Sequence, residues 1–190
     1  NHLGIYYIVM DNAIVCNKHN IILRKIIRGQ TYSIEFNLQN DNIILRNIIN
    51  FKIYDLIAEL NKDVVEKIET IKEINDNERE ILFVFKRFGK ELGILQKFMT
   101  IRSTLQQDDN QTRLFSRSIK TDISVPNCKE MKSNYSNLSV DFITEHNINI
   151  KYEFNIDIEE ELPSYMENII GFLMKKIFYR VKLFIENINN

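Results

Sequence analysis

No tryptophan occurs among the 190 residues, and there are only two prolines, five glycines, two cysteines and three histidines. So little glycine excludes Gly-rich phosphate loops and collagen, and so little proline excludes a Pro-rich linker. His2, His19 and His146 stand beside Asn, Lys or Glu in apparent turns, without the spacing that gathers metal ligands. Cys16 and Cys128 are far apart and have no neighbouring histidine to activate a thiolate. They read as a reduced cytosolic pair rather than a disulfide. No Gly-x-Ser-x-Gly, Walker loop or dinucleotide fingerprint occurs. A formal net charge of −1 gives no global field for nucleic acid.

Long apolar runs are also missing. Residues 3–15 come nearest, but Asp11 and Asn12 interrupt them and no basic leader precedes them, so they are read neither as signal nor as anchor. The chain begins at Asn1 rather than Met, which leaves room for an upstream targeting segment or a further domain. What is present is ordinary for one globular domain, with 44% hydrophobic and 27% charged residues. Isoleucine and asparagine are abundant, which reads as the codon bias of an AT-rich genome.

Residues 1–30 are β-branched and hard to assign, as strands or short helices. Tyr32–Leu38 alternates as a strand, and after a turn at 39–42 the run Ile43–Ile49 is expected as its hairpin partner. Ile53, Leu56, Ile57 and Leu60 then follow helical spacing, with Asn50 as the expected N-cap. Val64–Ile74 is either more helix or a strand. Alternation returns over 81–88, 98–103, 112–119, 138–143 and 148–158, with an irregular stretch at 120–137. The chain closes on a long amphipathic helix, with apolar residues at Met166, Ile169, Ile170, Leu173, Ile177, Val181, Phe184, Ile185 and Ile188. Strands segregated from helices predict an α+β fold on an antiparallel sheet.

Several local signals fall in a familiar order. Leu45-Arg46-Asn47-Ile48-Ile49-Asn50 runs into Ile53-Tyr54-Asp55-Leu56-Ile57, and Ile68–Glu78 runs into Ile81-Leu82-Phe83. Gly93–Arg102, Phe115-Ser116-Arg117-Ser118-Ile119, and Asp157 with Leu162-Pro163-Ser164-Tyr165-Met166 follow. In this order they resemble the START (StAR-related lipid-transfer) domain over about Thr31 to Ile185. The sequence departs from that pattern where Gln96-Lys97 replaces an Arg-Asp pair, where a Trp-Asp is absent after the first helix, and where Tyr165 replaces a Trp. Residues 61–63 look shortened. These departures leave the wider helix-grip superfamily open, including polyketide-cyclase-like and coenzyme Q-binding relatives.

The resemblance implies a helix-grip fold over residues 31–190, with 1–30 left as an N-terminal segment. A curved antiparallel sheet would wrap a long C-terminal helix around an internal apolar cavity. Lipid-lining candidates on the strands are Phe83, Phe85, Phe98, Phe115, Phe142, Tyr152 and Phe154, and on the helix Ile169, Phe172 and Leu173. Periodicity alone favours a solid core for these residues; the resemblance favours a cavity. Arg102 and Arg117 either meet a headgroup phosphate or an internal carboxylate such as Asp141 or Asp157, or point to solvent. Ser116 and Ser118 either donate to a headgroup or lie on the outer face. Lys175, Lys176, Arg180 and Lys182 are candidates for docking on anionic lipid, against an ordinary solvated face.

The expected function is non-enzymatic binding and transfer of a phospholipid or sterol. The expected protein is a cytoplasmic monomer peripheral to membranes, with no cofactor, no metal and no nucleic-acid partner. The final helix, or the segment 120–137, would open for release. Two alternatives stand beside it. One is a cyclase-like or hydrolytic enzyme using Arg102, Asp141 and Tyr152 in the same cavity. The other is a filled domain that acts as a protein-interaction module.

Overall fold

Ten strands form a single sheet in the computed structural model, which describes residues 12–26, 30–132 and 134–189. In chain order these are β1 (Asn12–Lys18), β2 (Ile21–Ile26), β3 (Thr31–Gln39), α1 (Lys52–Leu60), β4 (Val65–Asn75), β5 (Glu78–Phe85), β6 (Gln96–Gln107), β7 (Gln111–Ser118), β8 (Cys128–Glu130), β9 (Tyr135–Thr144), β10 (Asn147–Asn155) and α2 (Ile169–Glu186). The order across the sheet is β1-β2-β3-β10-β9-β7-β6-β5-β4, antiparallel throughout, with β8 pairing in parallel to β6. This is an α+β helix-grip fold, a curved sheet closed by the C-terminal helix. Residues before 31 supply β1 and β2, and β2 pairs directly with β3. The apolar residues expected from 3 to 10 lie outside the described residues.

Alternation decides which side chains enter the sheet's concave face. In β6, Met99, Ile101, Ser103 and Leu105 point inward while Phe98, Thr100, Arg102 and Thr104 point outward. The register Ser103↔Ser116 gives β7 the same parity, so Thr112, Leu114 and Ser116 are buried and Arg113, Phe115 and Arg117 are outside. The outer face has its own small core. Leu82, Val84 and Phe98 pack there against Ile71, Ile123, Val125 and Cys128, so the irregular stretch after β7 is a cover for the convex side.

Two expected elements change. Residues 43–49 do not pair with β3; Leu45–Asn47 is a single 3-10 turn, and β10 takes the ladder instead, with Phe36 opposite Ile150. Leu45 and Ile49 bury while Asn47, which a strand would place on the same face, is exposed. Val65–Asn75, ambiguous by period, is the edge strand β4. Asn50 does receive the Lys52 N–H at 2.8 Å, one residue ahead of the first helical turn of α1.

Helix α2 is fastened along its length. At its start the Tyr32 hydroxyl donates to the Glu167 carbonyl (3.1 Å) and to Asn168 Oδ1 (3.2 Å), and Lys25 pairs with Glu167. At its end Asn40 Nδ2 donates to the Ile185 and Ile188 carbonyls, satisfying acceptors that the helix leaves open. Between these points the helix touches the sheet at Gly171, where a Cβ would lie 2.8 Å from Tyr32 Cδ1 and 3.3 Å from Leu23 Cδ2. Tyr32 cannot swing aside, because its ring stacks on Phe154 at 5.7 Å and its hydroxyl is held. Gly171→Val is expected to cost roughly 1–3 kcal/mol of overpacking, read as a lower midpoint in chemical denaturation; an unchanged midpoint would show that the helix does not seat here.

Candidate functional site

Because α2 is pressed to β2 and β3 at Gly171, its other side stands away from β5–β7, and a cavity remains between them. The inner chamber holds about 50 Å³ and is lined by Tyr54, Ile57, Phe83, Met99, Leu114, Tyr152, Met174 and Phe178 among others. It adjoins, across the shared side chains of Phe85, Ile156, Met174 and Ile177, a chamber of about 140 Å³ that leads outward. The outer rim carries the charged residues Asp63, Lys86, Arg87 and Lys176 beside Phe88, Met131 and Leu173. A third chamber of about 20 Å³ opens off the inner one, beside Asn134, Ser116 and Ser136.

The inner lining is apolar except for hydroxyls and one amide. The Tyr54 hydroxyl, carried by α1, meets Ser103 Oγ at 2.8 Å and Ser116 Oγ at 3.0 Å, and Ser116 donates to Ser103 at 2.9 Å. The two serines face each other because they are register partners on the concave side of adjacent strands. Burial raises the Tyr54 phenol, partly offset by the two serines, and burial raises Tyr152 likewise, partly offset by Ser136. Both phenols stay protonated at neutral pH, so neither serves as a base there.

The lining candidates divide by strand face. Phe83, Phe85, Tyr152 and Leu173 line the cavity. Phe154 is fully buried behind Tyr152 (ring centroids 5.0 Å apart), and Ile169 packs at the edge of the same core. Phe142 is inward but remote, with the Arg46 guanidinium 4.1 Å over its ring. Phe98 belongs to the outer core, Phe115 is exposed on the convex face, and Phe172 is exposed on α2. Arg102 and Arg117 are outside the cavity; Arg102 donates to Glu80 at 2.7 Å. The parity that places Ser103 and Ser116 inside necessarily places these arginines outside. Ser118 also stays out of the cavity, accepting the Asn134 N–H at 3.1 Å.

The basic residues of α2 do not form one free face. Lys176 and Arg180 both bind Asp63, whose carboxyl is held far below its ordinary value, first by the Arg180 hydrogen bond. Lys182 donates to the Asn37 carbonyl at 2.7 Å and pairs with Glu186, and Lys175 is buried along its stem. Asp63 thus ties α2 to the loop after α1 at the cavity rim.

Sequence reading missed Tyr54, Ser103, Ser136, Asn134, Met174 and Phe178. Met174 and Phe178 follow the i, i+4 spacing of the buried face of α2, and that period could have found them. No sequence signal marks the inward serines, which depend on which face of each strand is concave.

Lys97 is fully buried, and its ammonium donates to Glu160 Oε1 at 2.7 Å; Lys129 lies 3.4 Å from the same oxygen. This pair holds the segment between β10 and α2 against β6. Hydrogen bonding from Lys97, and then its charge, hold the Glu160 carboxyl below its ordinary 4.5. The pair's contribution is therefore complete above pH 4.5 and is lost as pH falls through the lowered folded-state value. Glu160→Gln is expected to lower the unfolding midpoint more than Lys97→Met, since only the first leaves a buried charge unmatched. The midpoint difference between wild type and Lys97→Met should shrink in acid; a constant difference would contradict the pairing.

No family model and no curated protein matches the sequence. Solved structures do. A human StarD13 (DLC2) lipid transfer and protein localization domain superposes with a TM-score of 0.72 at 9% identity, covering 93% of this chain and 90% of that one. A STAR-related lipid transfer protein from Xanthomonas axonopodis gives 0.71 at 8% identity, with 92% and 98% covered. Human StAR-related lipid transfer protein 5 gives 0.69 at 13% identity, with 90% and 84% covered. At such identities the likeness is one of fold, and the fold of this chain is START-like.

Proposed function

We propose that the chain binds a lipid, of the phospholipid or sterol class, in the cavity under α2 and carries it between membranes without chemical change. The observation that carries this reading is the pair of adjoining, mostly apolar chambers that reach from the rim at Phe88 and Leu173 to Tyr54 and Tyr152. Such a space draws in an apolar chain by about 0.8 kcal/mol per buried CH₂. The START-like neighbours, whose names describe lipid transfer, support the same reading.

Entry is at the rim, between the N-terminal half of α2, the loop after α1 and residues 85–88. Breaking the Asp63 ties to Lys176 and Arg180 would widen it. Beside it, Leu92 and Leu95 are exposed near Lys86, Arg87 and Lys90, a mixture suited to a membrane surface. We therefore place docking at residues 86–95, with the protein cytoplasmic and peripheral to membranes. Among the described residues no helix is long and apolar enough to cross a bilayer. The enzymatic alternative loses its constellation, since Tyr152 is inside while Arg102 and Asp141 face outward, where Asp141 accepts from Gln111 at 2.6 Å.

Native mass spectrometry of the purified protein should show a bound lipid, and donor vesicles should lose labelled lipid to acceptors in its presence. Met174→Trp narrows the junction of the two chambers and introduces the chain's sole indole. It should reduce transfer to near background while the variant unfolds cooperatively, and its fluorescence should report what remains of binding. Absence of both co-purified lipid and vesicle transfer would overturn the proposal.

A further inference from the structure

The small chamber off the inner cavity contains a buried donor with nothing to donate to. Asn134 is 4% exposed, and its Oδ1 accepts the Asp157 N–H at 2.8 Å, which fixes the orientation of the amide. Its backbone is held as well, through Ser118 on both sides: N–H to Ser118 Oγ at 3.1 Å and carbonyl from Ser118 N–H at 2.8 Å. Nδ2 has no hydrogen-bond partner among the described residues. A buried amide donor without a protein partner is uncommon, and in native proteins it signals a partner from outside the chain. Around it stand Ser136 and Tyr152, whose hydroxyls can share a hydrogen bond with a neutral oxygen, and Ser116, whose proton is already given to Ser103.

Size and charge narrow what that partner is. The chamber holds about 20 Å³, enough for about one water-sized group and too little for a phosphate. Among the described residues no Asp, Glu, Lys, Arg or His lines it or the inner chamber, and both phenols there are kept neutral by burial. A charged group placed here would lose its water without gaining a counter-charge. The charged side chains of the cavity are all at the outer rim.

We infer that the cavity takes a neutral amphiphile whose single hydroxyl or carbonyl oxygen enters first. That oxygen accepts from Asn134 Nδ2 between Ser136 and Tyr152, and the apolar body extends toward the rim. This rests on the lipid-binding reading and sharpens it, choosing an uncharged lipid over a phospholipid. The Asn134 amide is the specificity-determining donor. A water molecule fits the same chamber, so the preference depends on the ligand's oxygen replacing that water.

The test is competition, on the full chain, against the uncharged fluorophore N-phenyl-1-naphthylamine by dodecanol, dodecane and dodecyl phosphate, which share one tail. Dodecanol is expected to compete about tenfold better than dodecane, with dodecyl phosphate weaker than the alcohol. In Ser136→Ala/Tyr152→Phe, which removes only two oxygens, the alcohol's advantage should shrink several-fold. Asn134→Leu should abolish it, with thermal unfolding as the check on folding; the double variant carries the test if that substitution does not fold. Equal competition by dodecanol and dodecane, or stronger competition by dodecyl phosphate, overturns this inference and leaves lipid binding standing. Failure of the fluorophore and all three competitors to bind overturns both.

Discussion

The contact of Gly171 with the Tyr32 ring is the constraint on which the rest of the structure depends. It brings the backbone of α2 down onto β2 and β3, where Leu23 and Tyr32 leave no room for a side chain. The sheet curves away from that line toward β5–β7, so the helix cannot touch both sides at once. What lies between is filled from α1 by Ile53, Tyr54 and Ile57, from the sheet by Phe83, Leu114 and Tyr152, and from α2 by Met174, Ile177 and Phe178. These side chains close most of the gap and leave adjoining chambers. The cavity is thus a consequence of where the helix is seated.

Polar groups are distributed by depth. Charged pairs stand outside the inner chamber: Asp63 with Lys176 and Arg180 at the rim, and the buried Lys97 with Glu160 where the chain passes from β10 to α2. Inside there are only hydroxyls and the Asn134 amide, with the hydroxyls of Tyr54, Ser103 and Ser116 satisfying one another. Charge at the mouth remains hydrated, whereas charge in the inner chamber would not. Among the described residues, the deep cavity therefore presents no pair of ionised side chains. Of the basic residues of α2, Lys176, Arg180 and Lys182 are paired with groups of the protein itself, and Lys175 is buried.

Much of the fold was legible from period alone. Alternation located the strands from 81 onward to within a few residues, except the three-residue β8 inside the stretch read as irregular, and the three-and-four spacing located α2, because both patterns arise from one-sided burial. The 43–49 run was misread because consecutive isoleucines satisfy either period. The site was less legible. Phe83, Phe85, Tyr152 and Leu173 were identified, but Phe98, Arg102, Phe115 and Arg117 lie on the convex face. Phe98 misleads for a physical reason: residues after β7 cover that face with a second core, so an aromatic can be buried on either side of β6.

By itself, then, the sequence determined the α+β class, most strands from β5 onward and the long closing helix, since these follow from local periodicity. Only the tertiary structure decided which face of each strand is concave, and with it whether Ser103 and Ser116 or Arg102 and Arg117 meet the cavity. It also decided that Asn134, from an irregular stretch, would bring an unpaired amide into the interior. Such choices depend on residues far apart in the chain meeting across the sheet, and a strand's two faces are equivalent until something packs against one of them.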